Sequence, residues 1–176
     1  MTNGERLDYF LAEVARGTVK EFLEAPEASM RRGVLAAIVV NQLVEFIHEG
    51  RPDFHPDEKL SAFRERLAKD YPNLRLLRDV AEATKHPRLD REKPQPEIPG
   101  IEAIRSRHPQ ICGRDKDPIT LRGGEPLLGR LTILVDTQSG PRPLTEIVVT
   151  CFTALEGLIA TRGPFHDRRL CGEAGF

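Results

Sequence analysis

The stretch LLRDVAEATKHPRLDR, residues 76–91, holds three side chains whose types suit chemistry on a phosphodiester. Histidine titrates near neutral pH and can act as an acid or a base, and arginine offers a fixed positive charge to a phosphate in its transition state. Cleavage of RNA through attack by its own 2′-hydroxyl needs only these two functions. Arg78 could supply the positive charge and His86 the acid or base, and Asp79 lies next to Arg78. This chemistry requires no metal and no other cofactor.

Basic side chains continue beyond these three. An RNA backbone could be held, without reading of its sequence, by Lys85, Arg88, Arg91 and Lys93. They belong to residues 85–116, where eight Lys and Arg stand against five Asp and Glu, in a chain whose net charge is −1. A hydrated linker has the same composition, so both interpretations remain open.

Apolar periodicity predicts that the candidate catalytic residues lie on one helix. At about 100° per residue, the ionisable side chains of this helix all fall within an arc of ~120°, and its apolar side chains face the bundle. A hydrated helix face is the ordinary explanation of such an arc. The i,i+4 pairs Arg78–Glu82 and Arg75–Asp79 support that explanation, as does His86 in the last turn, where the helix dipole favours a cation.

An arginine followed by a polar residue, with a histidine further along a late helix of a small bundle, resembles the HEPN superfamily. The resemblance covers residues 5–90. Members of the family are often RNA-cleaving toxins or effectors of prokaryotic defence. The resemblance implies that Arg78 is the phosphate-stabilising cation, His86 the acid or base, and Asp79 the residue that orients one of them. It also implies a homodimer in which these residues of both subunits meet in one cleft. On a regular helix Arg78 and His86 would be ~80° apart around the axis and ~12 Å apart along it. They could therefore reach the same phosphate only if their long side chains converged or if a partner subunit completed the site.

Two other sets of residues contain side chains that bind metals. Glu45 and His48 form the E-x-x-H motif that di-metal bundles use on two helices, and Glu82 lies four residues before His86. A zinc site would need two His–Cys pairs: His108, Cys112, His166 and Cys171. The E-x-x-H motif occurs once and the two His–Cys pairs are far apart in the sequence, which favours unrelated residues in both cases.

Composition is typical of a globular protein of the cell interior. Hydrophobic residues make up 39% of the 176 residues and charged residues 30%. The three cysteines form no disulfide framework, and we expect Cys151 in the core. The N-terminus lacks the pattern of a secretory signal, and the longest apolar run is too short to span a membrane. These features predict a cytoplasmic protein without a membrane partner.

Helical periodicity recurs in five segments, with short strands before the last. The predicted helices are residues 5–24, 28–49, 56–69, 74–86 and 144–162, and the predicted strands are residues 119–122, 125–129 and 131–137. The second helix is the most apolar and is expected at the centre. We expect Pro56 at the start of the third helix, Asn73 as the N-cap of the fourth, and Gly50 as a left-handed residue just past the second. Residues 87–118 contain six prolines and are predicted to form a long loop with a brief helix near residues 100–107.

The sequence thus predicts a mainly α fold, an antiparallel helical bundle of about five helices with a small β hairpin or sheet insertion. We expect one domain overall: a bundle in residues 1–90, a Pro-rich charged loop in 91–118, a small β element plus closing helix in 119–162, and a tail in 163–176. Two functions remain open, and with them the question whether the chain is an enzyme. One is a HEPN-like RNA-binding protein or metal-independent ribonuclease that acts as a homodimer, and the other is a non-enzymatic protein-interaction module.

Overall fold

Five helices and three strands make up the described part of the chain. The computed structural model describes residues 1–25, 28–51, 57–86, 89, 96–107 and 131–160. The helices are α1 in three consecutive segments (Asn3–Tyr9, the π-helical Phe10–Ala15 and Arg16–Leu23), α2 (Met30–Gly50), α3 (Leu60–Asp70), α4 (Asn73–Ala83) and α5 (Leu144–Ala160). The strands are β1 (Ile104–Arg107), β2 (Thr132–Thr137) and β3 (Gly140–Pro143). The predicted fold class, mainly α with a small β element, is confirmed.

Helix α2 lies at the centre, as its apolar composition predicted. It contacts each of the other four helices, and Val40, Leu43 and Ile47 on it are completely buried. Its Phe46 ring stacks on Phe10 of α1 with the ring centroids 4.1 Å apart. The hydrophobic core that forms around α2 also includes apolar side chains of the other four helices and of the sheet.

Glycine at the end of α2 allows close packing rather than a left-handed cap. Gly50 is the last residue of the helix and is buried. A Cβ atom added to it would lie 3.0 Å from the carbonyl oxygen of Asn3 and 3.0 Å from Cβ of Leu7. Among the described glycines, only Gly140, with a φ of 116°, lies in the left-handed region. The prediction of a left-handed residue at Gly50 was therefore wrong. This position needs glycine because a side chain here would collide with α1.

The starts of α3 and α4 also differ from the prediction. Helix α3 begins at Leu60, and Pro56, expected at its start, lies outside the described residues. Helix α4 has Pro72 as its N-cap, without a side-chain hydrogen bond. Asn73 is the first helical residue, and its Oδ1 accepts a hydrogen bond of 2.8 Å from Arg142. The prediction of Asn73 as an N-cap was therefore wrong, since a tertiary contact engages its side chain.

The sheet is antiparallel, with strand order β1-β2-β3. Strand β2 coincides with the predicted strand at residues 131–137, whereas the predicted strands at 119–122 and 125–129 lie outside the described residues. Strand β1 lies in the segment predicted as a loop, and the brief helix expected there is a 3-10 turn, Ile101–Ala103, just before it. Strand β3, which contains Pro141 and Pro143, was not predicted.

The buried face of the sheet joins the core next to α5. Ile133 and Val135 of β2 are buried, and Leu144, Ile147 and Leu155 of α5 are completely buried. Within the described ranges, none of the helices has the length and apolar character needed to cross a membrane. The sheet and α5 thus close the bundle on one side of α2.

Candidate functional site

Arg78, the candidate cation, is held in ion pairs between α3 and α4. Its Nη1 donates to Oε1 of Glu65 at 3.0 Å, and its Nε lies 4.0 Å from Oε1 of Glu82. The side chain is only 11% exposed. The expected i,i+4 pair with Glu82 is thus present, but the shorter contact is to Glu65 on the preceding helix. Arg78 joins two helices and presents little surface to a ligand outside.

Glu65 is the carboxylate at the centre of this cluster. It accepts hydrogen bonds from Arg78 and, at 3.2 Å, from Nη2 of Arg75. Burial alone would raise the pKa of Glu65, but the hydrogen bond and charge of Arg78, together with Arg75, hold the pKa below its ordinary value of 4.5. Arg75 therefore pairs across to α3 and does not form the predicted pair with Asp79.

Asp79, the candidate orienting residue, is completely buried. Its Oδ2 accepts a hydrogen bond of 2.5 Å from the backbone N–H of Glu97. The helical arc predicted from the sequence placed Asp79 among solvent-facing side chains, and this prediction was wrong because the segment around Glu97 covers that edge of α4. The carboxylate fastens this segment to the helix.

His86, the candidate acid or base, lies beyond the end of α4. The helix ends at Ala83, Thr84 Oγ1 donates to the carbonyl of Ala81 at 2.8 Å, and the backbone N–H of His86 donates to the carbonyl of Glu82. The side chains of Lys85 and His86 are both exposed. The prediction that His86 occupies the last helical turn was therefore wrong. Arg88, Arg91 and Lys93, the other candidate RNA contacts, lie outside the described residues.

The structure brings Arg78 together with residues that the sequence did not connect with it. Arg64 of α3, Arg75 and Arg78 of α4, and Asn41 of α2 line a pocket of about 10 Å³ with an apolar floor. We call it the arginine pocket. Arg64 also donates to Glu45 at 2.5 Å. Arginines spaced along two helices give no sequence signal of convergence, because the crossing of α2, α3 and α4 creates the pocket.

The candidate metal ligands have other partners or lie outside the described chain. His48 Nε2 donates to the carbonyl of Glu58 at 2.6 Å, and Glu45 pairs with Arg64. In the part of the chain that the structure describes, no group of three His, Cys, Asp or Glu side chains is arranged to hold a metal ion. The proposed zinc ligands, which are His108, Cys112, His166 and Cys171, are not among the described residues.

A groove of about 390 Å³ separates the second half of α1 from α5. Its apolar residues include Leu23, which is 42% exposed, and Val149, which is 39% exposed. Lys20 and Glu24 lie on its α1 rim, and both side chains are exposed. We call it the α1–α5 groove.

Comparisons with protein-family models, with curated proteins and with solved structures find no match to this chain. The resemblance to the HEPN superfamily therefore remains a prediction from Arg78, Asp79 and His86.

Proposed function

We propose that this chain is a non-enzymatic protein-interaction module that self-associates through the α1–α5 groove. One observation carries the non-enzymatic part: two of the three side chains suited to catalysis already have partners inside the fold. Asp79 is buried and accepts the Glu97 N–H, and Arg78 is 11% exposed and paired with Glu65. A ligand phosphate would have to displace these contacts before it reached either group.

The apolar part of the α1–α5 groove supports association with another protein surface. Leu23 and Val149 expose large apolar side chains on its two sides, next to the more deeply buried Val19 and Phe152. Covering such side chains removes apolar area from water, which favours association by ~25 cal/mol per Å². Aliphatic and aromatic residues within a charged rim are typical of interface centres.

The charges on the rim favour a second copy of this chain as the partner. Lys20 and Glu24 are one turn apart on α1, and within the described residues neither forms an ion pair. In a two-fold dimer with antiparallel α1 helices, Lys20 of each copy would face Glu24 of the other. The same surface is thus complementary to itself in both charge and apolar character.

Analytical ultracentrifugation over a range of concentrations tests the proposal. We expect a monomer–dimer equilibrium that shifts to monomer in Leu23→Asp and in Val149→Asp. Leu35→Asp is the matched control, because Leu35 is 45% exposed and does not line the groove. Lys20→Glu should weaken the dimer and the swap Lys20→Glu with Glu24→Lys should restore it. A monomeric wild type at every concentration, or equal effects of Leu23→Asp and Leu35→Asp, would refute the groove as an interface.

An RNA-cleavage assay tests the non-enzymatic part. We expect that the wild type and His86→Ala leave structured RNA equally intact in EDTA. Cleavage by the wild type that is lost in His86→Ala would overturn this part and restore the HEPN-like ribonuclease.

RNA binding without cleavage is a second candidate function, favoured by the adjacent exposed side chains of Lys85 and His86. They stand at the start of residues 85–116, a segment with net charge +3. Fluorescence anisotropy with labelled RNA should give an affinity that falls steeply with salt and decreases in Lys85→Glu. Lys59→Glu is the control, since Lys59 is an exposed lysine at the start of α3. Equal affinities of the two variants would exclude the contact at Lys85.

A further inference from the structure

We infer that residues 163–176 of this chain, the tail, bind in the α1–α5 groove of the same copy and compete there with a second copy. The tail lies outside the described residues. The inference rests on the proposed function, because it assigns a regulator to the groove through which two copies would associate.

The groove is within reach of the tail. Helix α5 ends at Ala160, and its groove-lining residues run from Val149 to Glu156. At a rise of 1.5 Å per residue, these positions are about 6–17 Å back along the helix from Ala160. The first ten residues after Ala160 can span ~33 Å, at ~3.3 Å per residue. Gly163 and Pro164 form a dipeptide that is typical of turns, and a return to the groove requires the chain to reverse its direction.

Apolar side chains of the tail match the apolar character of the groove. The tail contains three large apolar residues, Phe165, Leu170 and Phe176. The groove exposes 42% of Leu23 and 39% of Val149. Contact between the two sets removes apolar area from water on both sides, which favours association.

Charges of the tail match those on the rim of the groove. Lys20 and Glu24 are exposed, lie one turn apart, and form no ion pair within the described residues. The tail has the adjacent opposite charges Asp167 and Arg168. With Asp167 at Lys20 and Arg168 at Glu24, both rim charges would gain a partner. A second copy would use the same two rim side chains, so the tail and the second copy exclude each other.

The competition has a calculable effect on the dimer. A tethered segment acts at an effective concentration in the millimolar range. Both copies must free their grooves before they pair, so the fraction of free grooves enters the dissociation constant of the dimer twice. A tail that covers about two thirds of the grooves would raise this dissociation constant about ninefold.

Disulfide trapping tests the contact within one copy. Cys171 supplies a thiol in the tail, Cys151 is buried, and Cys112→Ser removes the third cysteine. Thr153 and Thr150 are both exposed on α5, and of the two Thr153 alone lines the groove. In dilute full-length protein under mild oxidation, we expect Cys171 to form an intramolecular disulfide about tenfold faster in Thr153→Cys than in Thr150→Cys, measured by peptide mapping. Equal rates in the two variants, or disulfides between copies alone, would overturn the inference.

Sedimentation of a tail variant tests the competition. The double variant Phe165→Ser with Leu170→Ser should dimerise with a dissociation constant about ninefold lower than the wild type, and Ala174→Ser is the control within the tail. A dissociation constant that is the same in the double variant and the wild type would overturn the competition.

The two measurements separate this inference from the proposed function. Equal disulfide rates, together with a dimer that is lost in Leu23→Asp, would overturn the tail contact alone. Faster trapping in Thr153→Cys, together with a double variant that is monomeric at every concentration, would support the tail contact and refute the dimer.

Discussion

Glycine-to-alanine substitutions on different helices should have effects of opposite sign, which tests the packing around α2. Gly33 lies where three elements meet this helix. An alanine Cβ there would stand 2.9 Å from Cδ1 of Ile133, 2.9 Å from Cδ2 of Leu144 and 3.0 Å from Cε2 of Phe22. These distances are shorter than van der Waals contact, and all three neighbours are buried. Relief would therefore require the side chains of all three buried neighbours to move within the packed core.

The magnitude follows from two opposing contributions. An extra methyl group in a well-packed core lowers the free energy of unfolding by ~1–3 kcal/mol. Replacing glycine by alanine inside a helix raises it by ~0.5–1 kcal/mol. For Gly33→Ala we expect a net loss of about 1–2 kcal/mol in the free energy of unfolding. Gly17 lies on an exposed position of α1 with nothing within 4 Å of its added Cβ. Gly17→Ala should therefore raise the free energy of unfolding by ~0.5–1 kcal/mol.

Urea denaturation followed by far-UV circular dichroism measures both free energies. Gly157→Ala on α5 provides a second exposed comparison, since its Cβ also meets nothing within 4 Å. The reasoning would be refuted if Gly33→Ala were as stable as Gly17→Ala. In that case the three neighbours would have room to move, and the close packing at Gly33 would not constrain the core.

Three further predictions concern single side chains. In urea denaturation, Asp79→Ala should lower the free energy of unfolding by roughly 2–3 kcal/mol, because the Glu97 N–H loses a charged acceptor. The exposed control Asp8→Ala should stay within ~0.5 kcal/mol of the wild type. Equal effects of the two substitutions would contradict the buried contact. Wild type should be more stable than Glu65→Gln, and this difference in the free energy of unfolding should be fully present above pH 4.5. It should decline as the pH falls through the lowered pKa of Glu65. A difference that does not depend on pH would contradict the ion pairs with Arg75 and Arg78. Burial raises the pKa of the Cys151 thiol to about 12. After treatment with a thiol reagent at pH 8, peptide mapping should therefore find Cys151 labelled only in the unfolded protein. Labelling at equal rates in the folded and unfolded protein would contradict its burial.

The helices were predictable because their apolar residues recur with the helical period. The segment predicted at residues 28–49 forms Met30–Gly50, and the segment predicted at 144–162 forms Leu144–Ala160. This signal is local, since it depends only on which residues face one side of one helix.

The surroundings of the candidate site were not predictable from the same signal. A helical wheel gives the direction of Asp79 around α4, but it does not show that Glu97, 18 residues later, covers that direction. In the same way, the contact between Arg78 and Glu65 depends on how α3 packs beside α4. Strands β1 and β3 have four residues each. Strands this short contain too few alternating side chains for a clear pattern, and the prolines of β3 argue against a strand.

The prolines of β3 affect how copies of this protein can meet. Pro141 and Pro143 lie opposite Asp136 and Leu134 of β2 and are two residues apart, so the donors they lack would have pointed to the same side of the strand. The N–H groups of Gly140 and Arg142 can donate the hydrogen bonds to β2. The two positions without a donor, Pro141 and Pro143, then face away from β2. An incoming strand would find no N–H to pair with at two of the four positions. Within the part of the chain that the structure describes, β3 is an edge strand. Its prolines protect this edge against the edge-to-edge growth that leads to aggregation.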